Sequence, residues 1–238
     1  MFEYFEKVTQ LINTIAAAET KNIEKAAEWV SEVIIADQII HAFGSGHSHI
    51  IGMELFTRAG GLANVNTILD DLVLATSGAR RGAAIERVSG LADILWDKYK
   101  ISSSDIMIII SNGGRNAMPI EMAMRAKKEG LKVIAITSLT QSQSYPSRHA
   151  SGKRLCDVAD LVIDNHVPSG DGLMEAQGKL VGPASSIAGM LLVNTITTEA
   201  MKIASAKGAK LPIYHSQNID GYSNEELYQK YEDRITHL

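Results

Sequence analysis

Five apolar residues in a row, Ile106-Met107-Ile108-Ile109-Ile110, stop at Ser111-Asn112-Gly113-Gly114-Arg115-Asn116. A short unbroken run rich in β-branched side chains reads as a strand buried on both faces. Such strands belong to parallel sheets covered by helices. The glycines that follow let the backbone turn tightly and approach a ligand closely. Asn116 stands where a helix N-cap is expected, with the helix continuing through Ala123, Met124 and Ala126. A strand, a glycine-rich polar turn and a helix start together make an anion site. Free amides point at the ligand and the helix dipole favours negative charge. Arg115 adds a cation able to hold phosphate through two bonds.

The same logic occurs upstream. Ile39-Ile40-His41-Ala42-Phe43 reads as a short strand. Gly44-Ser45-Gly46-His47-Ser48 follows, then an apolar helix over about 49–58 that Gly60-Gly61 ends. Further strands are expected at Leu62–Leu69, Lys132–Ile136 and Asp160–Asp164. The spacing of apolar residues predicts two helices within residues 3–36, one over about 83–99 and a long one over about 184–204. Residues 139–154 read as a loop or short helix, and 165–182 as a loop rich in glycine and proline. Strands alternating with helices predict an α/β three-layer sandwich around a five-stranded parallel sheet, flavodoxin- or Rossmann-like. The expected division is one domain: a helical arm (1–36), an α/β core (37–206) and a tail (207–238) with its own helix. Such sheets bind ligands at the carboxyl ends of their strands, where both glycine-rich turns lie.

Composition narrows the classes. Net charge is −4 with no basic patch, so nucleic acid is not an expected partner. The single cysteine, Cys156, excludes an intrachain disulfide framework and suits a reducing cytoplasm. No run reaches the roughly 20 apolar residues of a membrane span, and the acidic start of the chain has no basic n-region. The seven histidines show no metal-ligand spacing, and no cofactor is implied.

Gly44-Ser45-Gly46-His47-Ser48 and Ser111-Asn112-Gly113-Gly114-Arg115-Asn116 together resemble the paired signatures of the SIS (sugar isomerase) domain. The resemblance covers roughly residues 25–206 and is nearest in layout to phosphoheptose isomerase-type proteins. The tail, from Leu211-Pro212 to Asp220-Gly221, is similar to that of a poorly characterised single-domain branch. The resemblance implies a phosphorylated sugar held by the two turns, a homodimer or homotetramer, and aldose–ketose isomerisation or a related proton transfer. This chain departs from the usual Ser-x-Ser-Gly-x-Thr/Ser turn: Gly113 stands where a hydroxyl is expected and Asn116 replaces the last one. A hydrogen bond to a charged group contributes about 1.5–3 kcal/mol, so either Arg115, the Asn116 amide and the backbone offset the loss or the ligand differs from a simple phosphomonoester. Alternatively, the chain is a non-catalytic phosphosugar sensor. A nucleotide-binding Rossmann domain is disfavoured, because Gly44-x-Gly46 lacks the third glycine.

Proton transfer beside a carbonyl needs a carboxylate or imidazole tuned toward neutral pH, and donors for the developing oxyanion. Glu175, in the loop before the long helix, falls about where isomerases of the family carry an acidic residue. Glu54 follows His47 by seven residues on one helical face; an ordinary structural carboxylate paired with an arginine is its other reading. Glu121 reads as a surface residue. His47, His149 and His166 are the available imidazoles, and Gln177 stands about where phosphoheptose enzymes carry a histidine. Lys179 either pairs with phosphate or is simply solvated.

Overall fold

The computed structural model describes residues 2–238. Five parallel strands are hydrogen-bonded in the order β2-β1-β3-β4-β5: β1 (Ile40–Gly44), β2 (Val65–Thr67), β3 (Ile106–Ile110), β4 (Lys132–Thr137) and β5 (Leu161–Asp164). The register pairs Ile40 through Gly44 with Ile106 through Ile110. Every residue of β3 is at most 3% exposed, for a reason the alternation makes plain. Ile106, Ile108 and Ile110 enter one core with β1's Ile40 and Ala42. Met107 and Ile109 enter the opposite core. Each buried side chain of this size contributes about 1.5–3 kcal/mol, so a polar residue anywhere in the run would cost one core or the other.

The first core is closed by α1 (Glu3–Ile35), α2 (Ser48–Leu55) and α7 (Ser185–Ala206), and the second by α4 (Leu91–Lys98) and α5 (Ala117–Lys128). Helix α1 runs unbroken for 33 residues where two helices were expected. No glycine or proline interrupts Glu3–Ile35, and without a breaker the ladder of backbone hydrogen bonds continues. In the opposite sense, the single helix expected over 83–99 is two: α3 (Ala79–Ile85) and α4. Gly90 sits between them at φ +89°, a conformation a side chain resists. Its amide donates to Glu121 Oε2 at 2.8 Å, which pins the turn. Glu86 caps the C-terminal end of α3, its amide still donating to Gly82 O at 3.1 Å.

Strand β2 is shorter than the expected Leu62–Leu69, because Leu62 and Ala63 pair with the tail instead. Ala63 N donates to Pro212 O at 2.7 Å and Tyr214 N to Gly61 O at 3.0 Å, so the tail covers an edge that would otherwise offer free backbone groups. The expected loop at 165–182 contains a hairpin, β6 (Gly172–Ala176) and β7 (Lys179–Pro183). Its two turn residues, Gln177 and Gly178, both have positive φ, the geometry that suits a two-residue hairpin. Short α6 (Leu139–Ser144) is capped by Ser138, whose hydroxyl accepts from Gln141 N. Helix α8 (Glu225–Tyr231) lies in the tail.

Candidate functional site

In the order 2-1-3-4-5 the strand order switches side between β1 and β3, and sheets of this kind take ligands in the crevice at the carboxyl ends of such strands. Both glycine-rich turns are there. In the second turn Ser111 Oγ accepts from Gly114 N at 3.1 Å, and Gly114 has φ +54°. A Cβ on Gly114 would lie 2.9 Å from Thr137 Oγ1, so only glycine fits. Asn112 does not aim its amide at a ligand. Its Nδ2 donates to Gln141 Oε1 and its Oδ1 accepts from Asn165 Nδ2, both at 2.9 Å, which ties the turn to the ends of β4 and β5. The backbone amides of Asn112, Gly113 and Arg115 have no hydrogen-bond partner among the described residues. In the first turn the Ser45 and His47 amides are free in the same sense, while Gly46 N donates to Val73 O. Unpaired amides concentrated at one end of a sheet are an anion's natural partners.

Glu86 joins the two turns, and sequence reasoning missed it. Its Oε2 accepts from Ser45 Oγ at 3.2 Å and its Oε1 from Asn116 Nδ2 at 2.7 Å. Its own carbonyl takes Met118 N at 3.2 Å, in the first turn of α5. Asn116 therefore stands at the N-cap position without capping through its side chain. That amide is spent on Glu86, and its oxygen accepts from Arg148 Nη1 at 3.0 Å. Burial pushes the Glu86 carboxyl above the ordinary glutamate range; the Ser45 hydroxyl and the Arg87 and Arg148 charges only partly oppose it. The signal that could have found Glu86 is Ser89-Gly90, a helix breaker that begins three residues after it.

Three guanidiniums lie in this region: the Arg87 and Arg148 charges act on the Glu86 carboxylate, and Arg115 lies near Arg148. Arg148 is held by Asn116 and, through its backbone, by Arg115 O at 2.8 Å. Burial and the nearby Arg115 and Arg87 charges pull the Arg148 pKa down. Arg115 lies 5.1 Å from the Tyr145 ring, and its buried Nε has no hydrogen-bond partner. None of the three forms an ion pair among the described residues. Cations left unpaired around a crevice attract an anionic ligand.

The other expected residues make no hydrogen bond or ion pair with Glu86. Glu54, on α2, accepts from Asn194 Nδ2 at 3.1 Å and lies 3.3 Å from Arg58 Nε, facing α7. His47 is exposed, and its imidazole has no partner among the described residues. Ser48 opens α2, half-buried, beside the free amides. Glu175 stands exposed on β6, opposite Leu180, and Lys179 is exposed on β7. His166, at φ +51°, places Nε2 3.2 Å from Glu19 Oε1 and Nδ1 3.6 Å from Asp164 Oδ2, which fastens the end of β5 to α1. His149 pairs with Glu121 at 3.3 Å. Among the described residues no group of three or more histidine, cysteine or acidic side chains is arranged to hold a metal ion. No described helix is long and apolar enough to cross a membrane.

Comparison with known proteins places this geometry. The family model of the SIS domain matches residues 3–138. A UPF0309 protein of Geobacillus thermodenitrificans is 39% identical over 237 residues, covering 98% of this chain and 95% of that protein. Among solved structures, phosphoheptose isomerase GmhA from Neisseria gonorrhoeae is similar with a TM-score of 0.56 at 14% identity, over 83% of this chain and 95% of that one. The Vibrio vulnificus NanR protein complexed with ManNAc-6P is similar with a TM-score of 0.53 at 14% identity, over 97% and 66%. At such identities the structures speak for the fold. With the SIS model covering more than half of it and a relative at 39% identity aligned nearly end to end, this chain belongs to the SIS-domain family and, within it, groups with the UPF0309 proteins.

Proposed function

We propose that the chain binds a phosphorylated sugar between the β1 and β3 turns and transfers a proton on a carbon beside its carbonyl, as an aldose–ketose isomerase does. The observation that carries this reading is Glu86: one half-buried carboxylate, its pKa raised by burial, hydrogen-bonded to both turns at once. A general base works best with a pKa near the operating pH, and burial is how a glutamate gets there. In this scheme the phosphate rests on the Asn112, Gly113 and Arg115 amides, with the Arg115 guanidinium against it. Glu86 takes the proton from C2, leaving an enediol, and returns a proton to C1 as the O2 hydroxyl proton passes to O1. Arg148, fixed by Asn116, supplies the donor for the oxygen that becomes negative. Glu86 replaces Glu175 and Glu54 as first candidate, because one of those is exposed on the β6–β7 hairpin and the other is engaged with Asn194 and Arg58.

Fold likeness to GmhA and to NanR, the latter complexed with ManNAc-6P, favours a phosphosugar ligand for this crevice as well. Phe2, Phe5 and Leu180 are 79%, 59% and 52% exposed. Tyr4, whose hydroxyl donates to Pro183 O, brings that end of α1 against the hairpin, and this apolar surface favours a homo-oligomer. The test is a thermal-shift panel of hexose, heptose and amino-sugar phosphates with their unphosphorylated forms, followed by turnover assays on whatever binds. A ligand at 100 times its Kd adds about 2.7 kcal/mol, which for a chain of this size is about 5–11 °C. A phosphosugar shift that Arg115→Ala reduces, together with turnover, is expected. Binding without turnover on any bound sugar would make the chain a sensor, and no phosphosugar shift would overturn the ligand.

A further inference from the structure

A cavity lies between the C-terminal end of α2 and the tail, at the other end of that helix from the Gly44–Ser48 turn. Its volume is about 500 Å³, within the range of small-ligand pockets. Phe56, Tyr228 and the His215 and His237 rings supply its flat surfaces; Thr57, Gln217 and Asn218 supply polar ones. No lysine, arginine, aspartate or glutamate side chain lines it, in contrast to the three guanidiniums of the crevice. Burial and the nearby Lys98 charge lower the His237 pKa, against the Asp70 charge.

The cavity is held in shape by bonds that leave its polar surface free. Asn224 grips the His215 backbone at both N and O, each at 2.9 Å. His215 is stacked on Tyr222 with ring centroids 4.5 Å apart and planes 18° from parallel. Gln217 Nε2 donates to Tyr228 Oη at 2.7 Å, and Tyr99 Oη lies 3.0 Å from His237 Nε2. The Thr57 hydroxyl, the His215 imidazole nitrogens and the Asn218 side-chain amide have no partner among the described residues. Thr57 also has φ +47°. A β-branched residue in that region is strained, and such strain persists only where the surroundings enforce it.

We propose that this cavity is a second binding site, for an unphosphorylated, uncharged sugar ring. Hydroxyls that donate and accept match side-chain amides and hydroxyls that do both, and the ring's apolar face matches Tyr228 and Phe56. The absence of lysine and arginine side chains disfavours a phosphate there, since no permanent cation in the wall would neutralise it. Helix α2 leads from this cavity to the Gly44–Ser48 turn, about 12 Å for its eight residues. The site stands independently of the proposed chemistry at Glu86.

The test uses the full chain and ligand-observed NMR with glucose, N-acetylglucosamine and N-acetylmannosamine, and adenosine and uridine as ring-bearing controls. Binding of a neutral sugar is expected in the parent chain and in Arg115→Ala. It should weaken at least tenfold in His215→Ala and in Asn218→Ala, two exposed positions whose loss leaves the fold intact by circular dichroism. Sugar binding that follows Arg115 and ignores His215 and Asn218 would overturn the proposal, because the crevice would then be the site. Binding of the nucleosides alone, or of none of the probes at 10-millimolar order, would overturn it equally.

Discussion

At the amino ends of β1 and β3, the Asp105 carboxylate accepts from Ile39 N at 3.0 Å, Ser102 N at 2.8 Å and His41 Nε2 at 3.0 Å. At the carboxyl ends of the same two strands, Glu86 has only a hydroxyl and a side-chain amide, with the Arg87 and Arg148 charges near it but in no ion pair. Burial alone would raise both carboxyls. At Asp105 the His41 bond and the two backbone amides more than offset it, and the pKa falls below the ordinary range. At Glu86 the donors are too few, and the pKa rises. Protein groups saturate the first carboxylate, which locks the sheet. The second keeps capacity in reserve, which is what an acid–base group needs.

The largest expected effect lies at the reserved end. Glu86→Gln should lower turnover about 100- to 10,000-fold while leaving phosphosugar Kd within a few-fold. Glutamine can still accept from Asn116 and donate to Ser45, so the melting temperature should hold or rise. A variant that unfolds would make Glu86 structural, like Asp105. The converse change, Asp105→Ala, strands two backbone amides and the fully buried His41, and should cost about 3–5 kcal/mol in urea unfolding. Full activity should remain in whatever fraction stays folded.

Arg115→Ala sharpens the contrast at the phosphate turn. A lost charge-assisted bond of about 1.5–3 kcal/mol predicts a roughly 10- to 150-fold weaker Kd for phosphosugars and little change for unphosphorylated ones; equal losses for both would remove Arg115 from phosphate binding. Ser48→Ala should do the same more mildly, by about 0.5–1.5 kcal/mol. Titration separates the two ends with the smallest signal. The stability from Asp105 is present above the ordinary aspartate range and is lost as pH falls through its depressed value. The contribution from Glu86 is present below the ordinary glutamate range and is lost as pH rises through its raised value. Urea midpoints followed across pH should therefore lose their acid limb in Asp105→Ala and flatten toward neutral pH in Glu86→Gln.

The sheet and its crevice were legible in the sequence because the evidence for them is local. Ile106–Ile110 is buried on both faces, and the glycines of both turns sit directly after their strands. Glu86 was not legible, because an apolar spacing through Ile85, Val88 and Leu91 mimics a continuous helix. Only the geometry at Gly90 reveals that it is broken. Asn116 shows the same limit. Its type and position suit an N-cap, but Glu86, 30 residues away, competes for its amide and wins. The hairpin was hidden for another reason: Gln177 carries one of the positive φ values its turn needs, where glycine or asparagine would have announced it.

The central claim is that Glu86 moves a proton on carbon. The direct measurement is solvent deuterium incorporation at C1 and C2 of a bound sugar phosphate, followed by NMR in D2O for the parent chain and for Glu86→Gln. The account predicts incorporation by the parent chain and its loss in the variant, with both binding the sugar alike. Incorporation that persists in Glu86→Gln, or its absence from a parent chain saturated with phosphosugar, would contradict it.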